Sequence, residues 1–488
     1  MSRLKSGFWL LALAGLASLV SSCEKLEKPG WPAPKTSLVY ASKEHAAFPG
    51  AVRTRDSDIL VVFREAPSHA GTHGRIMLTR SSDDGATWTP PKTVIDTPFD
   101  DRDPSIVEFG NGALLINFFA SEYDSSGHRV RIVGVHLSRS IDGGQTWSEP
   151  RLVTVPGYKW LACSDNVLPL PTGRLILPVY GEAEGDSVRT ALVLLSDNFG
   201  LSWEKWAVVA HDSSGQVSYN EPALVVLPNQ EILCVMRTAG AHHWLAVSRS
   251  TDDGQTWSPV HFTNVQGEAP DVLRTAQGTL VLGYRDFSPP GVSLAFSYDL
   301  GRTWELETVL YAGLADRAYT SLVELPGDEL LVFYYVDHAA PDFGAPRARS
   351  AILVSRLSVT PPEQPTGVSA SLKDSNTVLL RWNAQPAVHY FRIFQSASPD
   401  SAGTLVASAT TNQCLFHPLP GDSVAYFSVQ AVRSWNEGLE NTGNVGPRSK
   451  PVELRLQQKR AEKEKPRASE KPEGDVAPES RADTAVSY

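Results

Sequence analysis

Ser81-Ser82-Asp83-Asp84-Gly85-Ala86-Thr87-Trp88 decides how this chain is read, because four more copies follow: SIDGGQTW from Ser140, SDNFGLSW from Ser196, STDDGQTW from Ser250 and SYDLGRTW from Ser297. In the shared pattern Ser-x-Asp/Asn-x-Gly-x-Thr/Ser-Trp, the Ser and Asp or Asn side chains bond nearby backbone N–H groups. Gly supplies the positive φ of a tight turn, and Trp drives the returning strand into a core. The copies lie 59, 56, 54 and 47 residues apart. That spacing holds about four short strands with their turns, the size of one propeller blade.

A second repeat lies between the boxes. It runs from an opening residue through a proline-like position, an apolar strand, a Pro/Asn/Gly turn and a second apolar strand. Phe48-Pro49 leads to Ile59–Arg64, Asp103-Pro104 to Leu114–Phe119, Glu221-Pro222 to Ile232–Arg237 and Ala269-Pro270 to Leu280–Arg285, with weaker copies opening at Ser164 and Tyr319. Six units predict an all-β, six-bladed β-propeller over residues 36–360. Thr36–Tyr40 is expected to close the ring against Ser350–Val354, since an open ring would expose sheet edges.

Equivalent positions of a propeller repeat converge on one mouth. The opening positions are Phe48, Asp103, Ser164, Glu221, Ala269 and Tyr319, and Asp, Glu and Tyr in one ring can supply an acid, a base and a phenolic nucleophile. On the return strand, Arg64, Arg237 and Arg285 each stand fifteen residues after the proline-like position, where the other blades carry Phe119, Tyr180 and Tyr335. Their forked donors suit a carboxylate. The competing reading pairs each arginine with a blade carboxylate such as Glu65, Asp271 or Asp286.

The ends of the chain read differently. Arg3 and Lys5 precede an apolar run from Phe8 to Val20, too short for a membrane span and suited to a secretory signal. Val20-Ser21-Ser22-Cys23 resembles a bacterial lipobox, so residues 1–23 are expected to be a lipoprotein signal with Cys23 acylated, and 24–35 a tether. This predicts attachment to a membrane of the bacterial cell envelope, on its periplasmic or surface side. Residues 361–455 change to short alternating strands, and Trp382 with the Tyr390–Phe394 strand resembles a fibronectin type III module, a small β-sandwich serving as spacer or glycan-contacting domain. Residues 456–488 are rich in Lys, Glu, Arg, Pro and Ala without apolar periodicity and read as a disordered tail.

The remaining cysteines, Cys163, Cys234 and Cys414, read as buried thiols, and no metal or cofactor motif occurs. A net charge of −10 argues against a nucleic-acid partner.

The boxes resemble the Asp boxes, or BNR repeats, of the sialidase superfamily. Tyr219-Asn220-Glu221-Pro222 through Met236-Arg237 is similar to the segment with the catalytic Glu and second Arg of that family, and Ala318-Tyr319-Thr320-Ser321-Leu322 to the one with its nucleophilic Tyr. Arg285 stands where the third Arg belongs. The resemblance implies a retaining glycoside hydrolase in which Tyr319 attacks, Glu221 takes its proton, and three arginines hold the substrate carboxylate. Two departures are visible. The family's Arg-Ile-Pro opening is here Ala47-Phe48-Pro49, so Arg64 is read as the substitute. The loop Glu65–Arg75 before the first box has no Asp, so Asp103 is read as the general acid, with His69 and His73 as alternatives.

The expected substrate is a glycan with a terminal acidic sugar, sialic acid first. The rivals are a non-catalytic glycan-binding propeller, and a propeller glycosidase or lyase using Glu221 with Asp103.

Overall fold

A computed structural model describes residues 34–456 except 111, 242, 289, 298, 313–318, 360–361, 386–387, 389, 402, 421–423 and 434–443. The signal segment, Cys23, nearly all of the tether and the charged tail lie outside the described residues.

The structure is all-β. Six antiparallel sheets follow one another. Blade 1 consists of His45–Arg53, Ile59–Ala66, Arg75–Ser81 and Lys92–Ile95; blade 2 of Asp100–Phe109, Ala113–Tyr123, Arg129–Ser140 and Arg151–Val153. Blade 3 contains Tyr158–Ala162, Leu175–Ala183, Arg189–Ser196 and Lys205–Ala210, with Leu168–Pro169 as a fifth short strand. Blade 4 is Val217–Val226, Ile232–Gly240, Trp244–Ser250 and His261–Gln266, and blade 5 is Glu268–Arg274, Leu280–Phe287, Pro290–Ser297 and Glu305–Ala312. Blade 6 takes Ser321–Leu325, Glu329–Val336 and Ser350–Ser358, and its outer strand is Lys35–Ser42 from the other end of the domain, with Leu38 opposite Leu353.

The second strand of each blade reads as an unbroken apolar run because it feeds two seams at once. In blade 1, Ile59, Val61 and Phe63 pack with Phe333 and Val354 of blade 6. Leu60 and Val62 point the other way, to Ile106 and Ile116 of blade 2. This is ordinary strand alternation with an apolar environment on both faces. Blades 2 and 3, 3 and 4, 4 and 5, and 5 and 6 share seams of the same kind.

The five boxes bind these seams from outside. In the first, Gly85 N donates to Ser81 Oγ at 2.8 Å, Ser81 Oγ donates to Asp83 Oδ1 at 2.7 Å, and Thr87 Oγ1 donates to Asp83 Oδ2 at 2.6 Å. The closing tryptophans Trp88, Trp147, Trp203, Trp257 and Trp304 each pack in the seam toward the preceding blade. The glycine is required twice over. Gly301 has φ +77°, and a Cβ there would lie 2.6 Å from Leu233 Cδ2 in blade 4. Gly301→Ala is therefore expected to cost about 2 kcal/mol, from overpacking and a left-handed backbone, read as a fall of several degrees in Tm; an unchanged Tm would show that the seam relaxes freely.

The C-terminal unit has a three-stranded and a five-stranded sheet, with Trp382, Phe391, Ile393 and Phe427 in its core. None of Cys163, Cys234 and Cys414 is in a disulfide; the first two are buried, whereas Cys414 is only half-buried, a correction to the reading of all three as interior thiols.

Candidate active site

The opening residues are positioned by a backbone irregularity. Phe48, Asp103, Glu221 and Ala269 have φ of 56°, 46°, 48° and 49°. At each of them the register with the second strand slips, between Ala47 and Gly50, Arg102 and Ser105, Asn220 and Ala223, and Glu268 and Asp271. Such a bulge re-aims side chains, and a left-handed non-glycine residue costs on the order of 1–3 kcal/mol. Four blades carry this strain at one mouth. Ser164 and Tyr319 lie instead in connections beside their first strands.

A cavity of about 470 Å³ opens there, lined by Phe48, His69, Arg102, Arg237, Glu268, Arg285, Asp286, Phe287, Pro290, Gly291 and Tyr319. The Tyr319 hydroxyl donates to Glu221 Oε1 at 2.7 Å. Arg237 Nη1 donates to the same oxygen at 3.0 Å, and the backbone N–H of Ala269 donates to Oε2 at 3.0 Å. Burial opposes the charge on Glu221, but Arg237, the Tyr319 hydrogen bond and Arg285 outweigh it and hold the carboxyl below its ordinary range. Tyr319 is pushed well above the usual phenol value by burial and by the charges of Glu221 and Asp103. A neutral phenol thus faces an ionised acceptor.

Glu268, which the sequence reading did not select, ties two arginines together. It accepts from Arg237 Nη2 at 2.7 Å and pairs with Arg285 Nη2. By strand register Glu268 stands opposite Arg285. Arg285 also lies over the Tyr319 ring, with Cζ 6.0 Å from its centroid.

Arg64 is a correction. Its side chain has no exposed surface, and its Nε donates to Asp100 Oδ1 at 2.6 Å. Arg64 is not among the lining residues of the cavity, and Arg102, itself only 7% exposed, takes that place. Arg102 Nη1 donates to Asp100 Oδ2 at 3.0 Å and to the His69 carbonyl at 2.7 Å, and its Cζ sits 5.2 Å from the Phe48 ring centroid. Arg102 occupies the same place before Pro104 as Ala47 does before Pro49, so the blade 1 arginine missing from Ala47-Phe48-Pro49 has a counterpart one blade on. The repeat places Arg102 one residue before the opening position Asp103, but nothing in the repeat chooses between it and Arg64. Each arginine of the trio does pair with a carboxylate, as the competing reading had it, but with Asp100, Glu221 or Glu268; among the described residues Glu65 pairs with Arg75, Asp271 accepts from Leu322 N, and Asp286 accepts from Ser293.

The proton-donor candidates separate. His69 lines the cavity, its ring edge-on to Phe48 at 5.6 Å. His73 does not: it pairs with Asp96 at 2.9 Å on the exposed surface. Asp103 is buried beneath the lining residues, and its Oδ1 has no hydrogen-bond partner among the described residues. Burial, with the charges of Glu221 and Asp100, pushes its carboxyl up to about 7 against the pull of Arg102 and Arg64. Among the described residues no group of three or more His, Cys, Asp and Glu is arranged to hold a metal, and no helix is long and apolar enough to cross a membrane.

A BNR repeat-like domain model matches residues 114–327. A sialidase of Micromonospora viridifaciens is 24% identical over 323 residues, covering 57% of this chain and 48% of that relative. The chain spans about half the length of the curated relatives it matches. Among solved structures, a protein of unknown function from Dyadobacter fermentans DSM 18053 aligns with TM-score 0.60 at 23% identity, over 68% of this chain and all of that one. The Penicillium chrysogenum alpha-L-arabinanase complexed with arabinobiose aligns with TM-score 0.50 at 16% identity, over 67% of this chain and 99% of that one. Both structural likenesses concern the fold.

Proposed function

We propose that this chain, a BNR-repeat propeller of the sialidase superfamily, is an exo-acting glycoside hydrolase that releases a terminal acidic sugar with retention, sialic acid being the first candidate. The observation that carries this reading is the 2.7 Å hydrogen bond from Tyr319 to Glu221 beside Arg102, Arg237 and Arg285. In the proposed reaction the Tyr319 oxygen attacks the anomeric carbon while its proton passes to Glu221. A neutral nucleophile suits an anionic sugar, because an attacking carboxylate would repel the substrate's own. The arginines hold that carboxylate, and water later cleaves the glycosyl–tyrosine bond, giving a proton to the ionised Asp103 while Glu221 returns its own to the Tyr319 oxygen.

Protonation of the leaving oxygen is assigned to Asp103, whose carboxyl sits near 7 and so carries a proton in weakly acidic solution. Above that value the acid is lost. kcat/KM should therefore fall as pH rises through about 7, and Asp103→Asn should remove that limb while lowering kcat by about 10²–10⁴-fold. An Asp103→Asn enzyme with the parent's pH profile would exclude Asp103 as the donor.

The reading itself is tested by assaying free sugar from a panel of acidic glycans, sialosides included. Release that depends on Tyr319 supports it. Binding of acidic glycans without release of sugar from any would favour the glycan-binding propeller, and full release by Tyr319→Phe the carboxylate-pair enzyme.

A further inference from the structure

The cavity does not end at the arginines. Blade 5 contributes Asp286, Phe287, Pro290 and Gly291 from the hairpin that follows Arg285, and these residues differ in chemistry from the rest of the lining. Asp286 has its carboxylate taken up by Ser288 N at 2.9 Å and Ser293 Oγ at 2.7 Å. Proline has no N–H to offer and glycine no side chain. Phe287 remains 40% exposed although it lines a cavity, and the His243 ring from the adjoining hairpin of blade 4 stands edge-on to it at 5.6 Å. An aromatic ring kept solvent-accessible in a cavity and braced from the side is a stacking surface, and the carboxylate among the described lining residues of this hairpin, Asp286, is already hydrogen-bonded.

We propose that Phe287, braced by His243, is a subsite for a neutral pyranose, the sugar to which the acidic residue is linked. Resting on the reading of Arg102, Arg237 and Arg285 as the acidic-sugar site, this subsite selects for glycan-linked over simple glycosides. The ring's apolar C–H face covers Phe287, while Pro290 and Gly291 leave room for it without demanding hydrogen bonds. A charged aglycone would find no counter-charge there, since Arg285 is taken up by the acidic sugar and the Asp286 carboxylate by Ser288 and Ser293.

The test compares kcat/KM for one acidic sugar carried on lactose and as its methyl glycoside, in the parent enzyme, Phe287→Ala and Phe287→Tyr. Loss of a stacking face should reduce the lactose-to-methyl ratio about tenfold in Phe287→Ala, with the ratio restored in Phe287→Tyr. Should Phe287 only support the fold, both substrates would decline in proportion and the ratio would stand, which overturns the proposal. Saturation-transfer NMR of free lactose on Tyr319→Phe protein gives a readout that needs no turnover. Contact with lactose that disappears in the Tyr319→Phe, Phe287→Ala double variant supports the subsite even if no hydrolysis is found, and contact that is absent from Tyr319→Phe or survives the second change overturns it.

Discussion

Tyr319→Phe is expected to lower kcat on an acidic glycan by at least about 10²–10⁴-fold, the scale of a group acting directly in the transition state, or about 3–5 kcal/mol of barrier. Substrate affinity should change little, because the hydroxyl's described hydrogen bond is to Glu221 and the three arginines are untouched. The fold should also hold. Phe keeps the ring that packs edge-on to Phe48 at 5.0 Å, and Glu221 retains Arg237 and the Ala269 N–H. Single-turnover release and ligand binding, measured on the same preparation, separate these quantities. A variant that hydrolyses at the parent rate removes Tyr319 from the chemistry; one that loses binding and turnover together assigns it to recognition instead.

Asp100→Ala is expected to be among the most damaging single changes in the propeller. Asp100 is fully buried and accepts from two buried arginines, Arg64 through Oδ1 and Arg102 through Oδ2. Removing one member of a buried ionic set leaves charge without compensation, at a cost of about 3–5 kcal/mol. For a domain of this size that corresponds to a fall in Tm of about 4–7 °C. The packing leaves no slack: a Cβ at Gly74 would sit 2.1 Å from Asp100 Oδ1 and 2.9 Å from Arg64 Nε. Because Arg102 loses a tether, affinity for the acidic sugar should fall as well, even at temperatures where the variant is folded. Thermal unfolding followed by titration of ligand checks both parts, and a Tm within about 2 °C of the parent would refute the buried-charge account.

Local patterns carried much of the architecture. Each box is a self-contained network of Ser, Asp or Asn, Gly and Thr or Ser within eight residues, so its conformation follows from its own chemistry. The two-seam alternation of Ile59–Phe63 is likewise written in consecutive residues. Glu221, Arg237, Arg285 and Tyr319 were selectable because a repeat turns sequence register into spatial neighbourhood, and the structure brings these four together.

Register failed where the neighbourhood depends on which face a side chain takes after a bulge. Arg64, Arg237 and Arg285 share a column, yet Arg64 is drawn inward by Asp100, while Ala47 across from it leaves the mouth to Phe48. The Glu268 clamp on two arginines and the Arg102–Phe48 stack both cross blade boundaries. Asp103 shares its column with Glu221, and its carboxyl lies near 7 because burial, with the charges of Glu221 and Asp100 beside it, raises it.

From sequence alone, then, the all-β class, the closure by Thr36–Tyr40 and the column holding Tyr319 and Glu221 could be read, since each rests on short-range pattern or on repetition. The choice of Arg102 over Arg64, the placement of Asp103 and the aromatic lining at Phe287 were decided by tertiary structure. They depend on burial and on charges brought together from different blades, and neither has a signature within one stretch of chain.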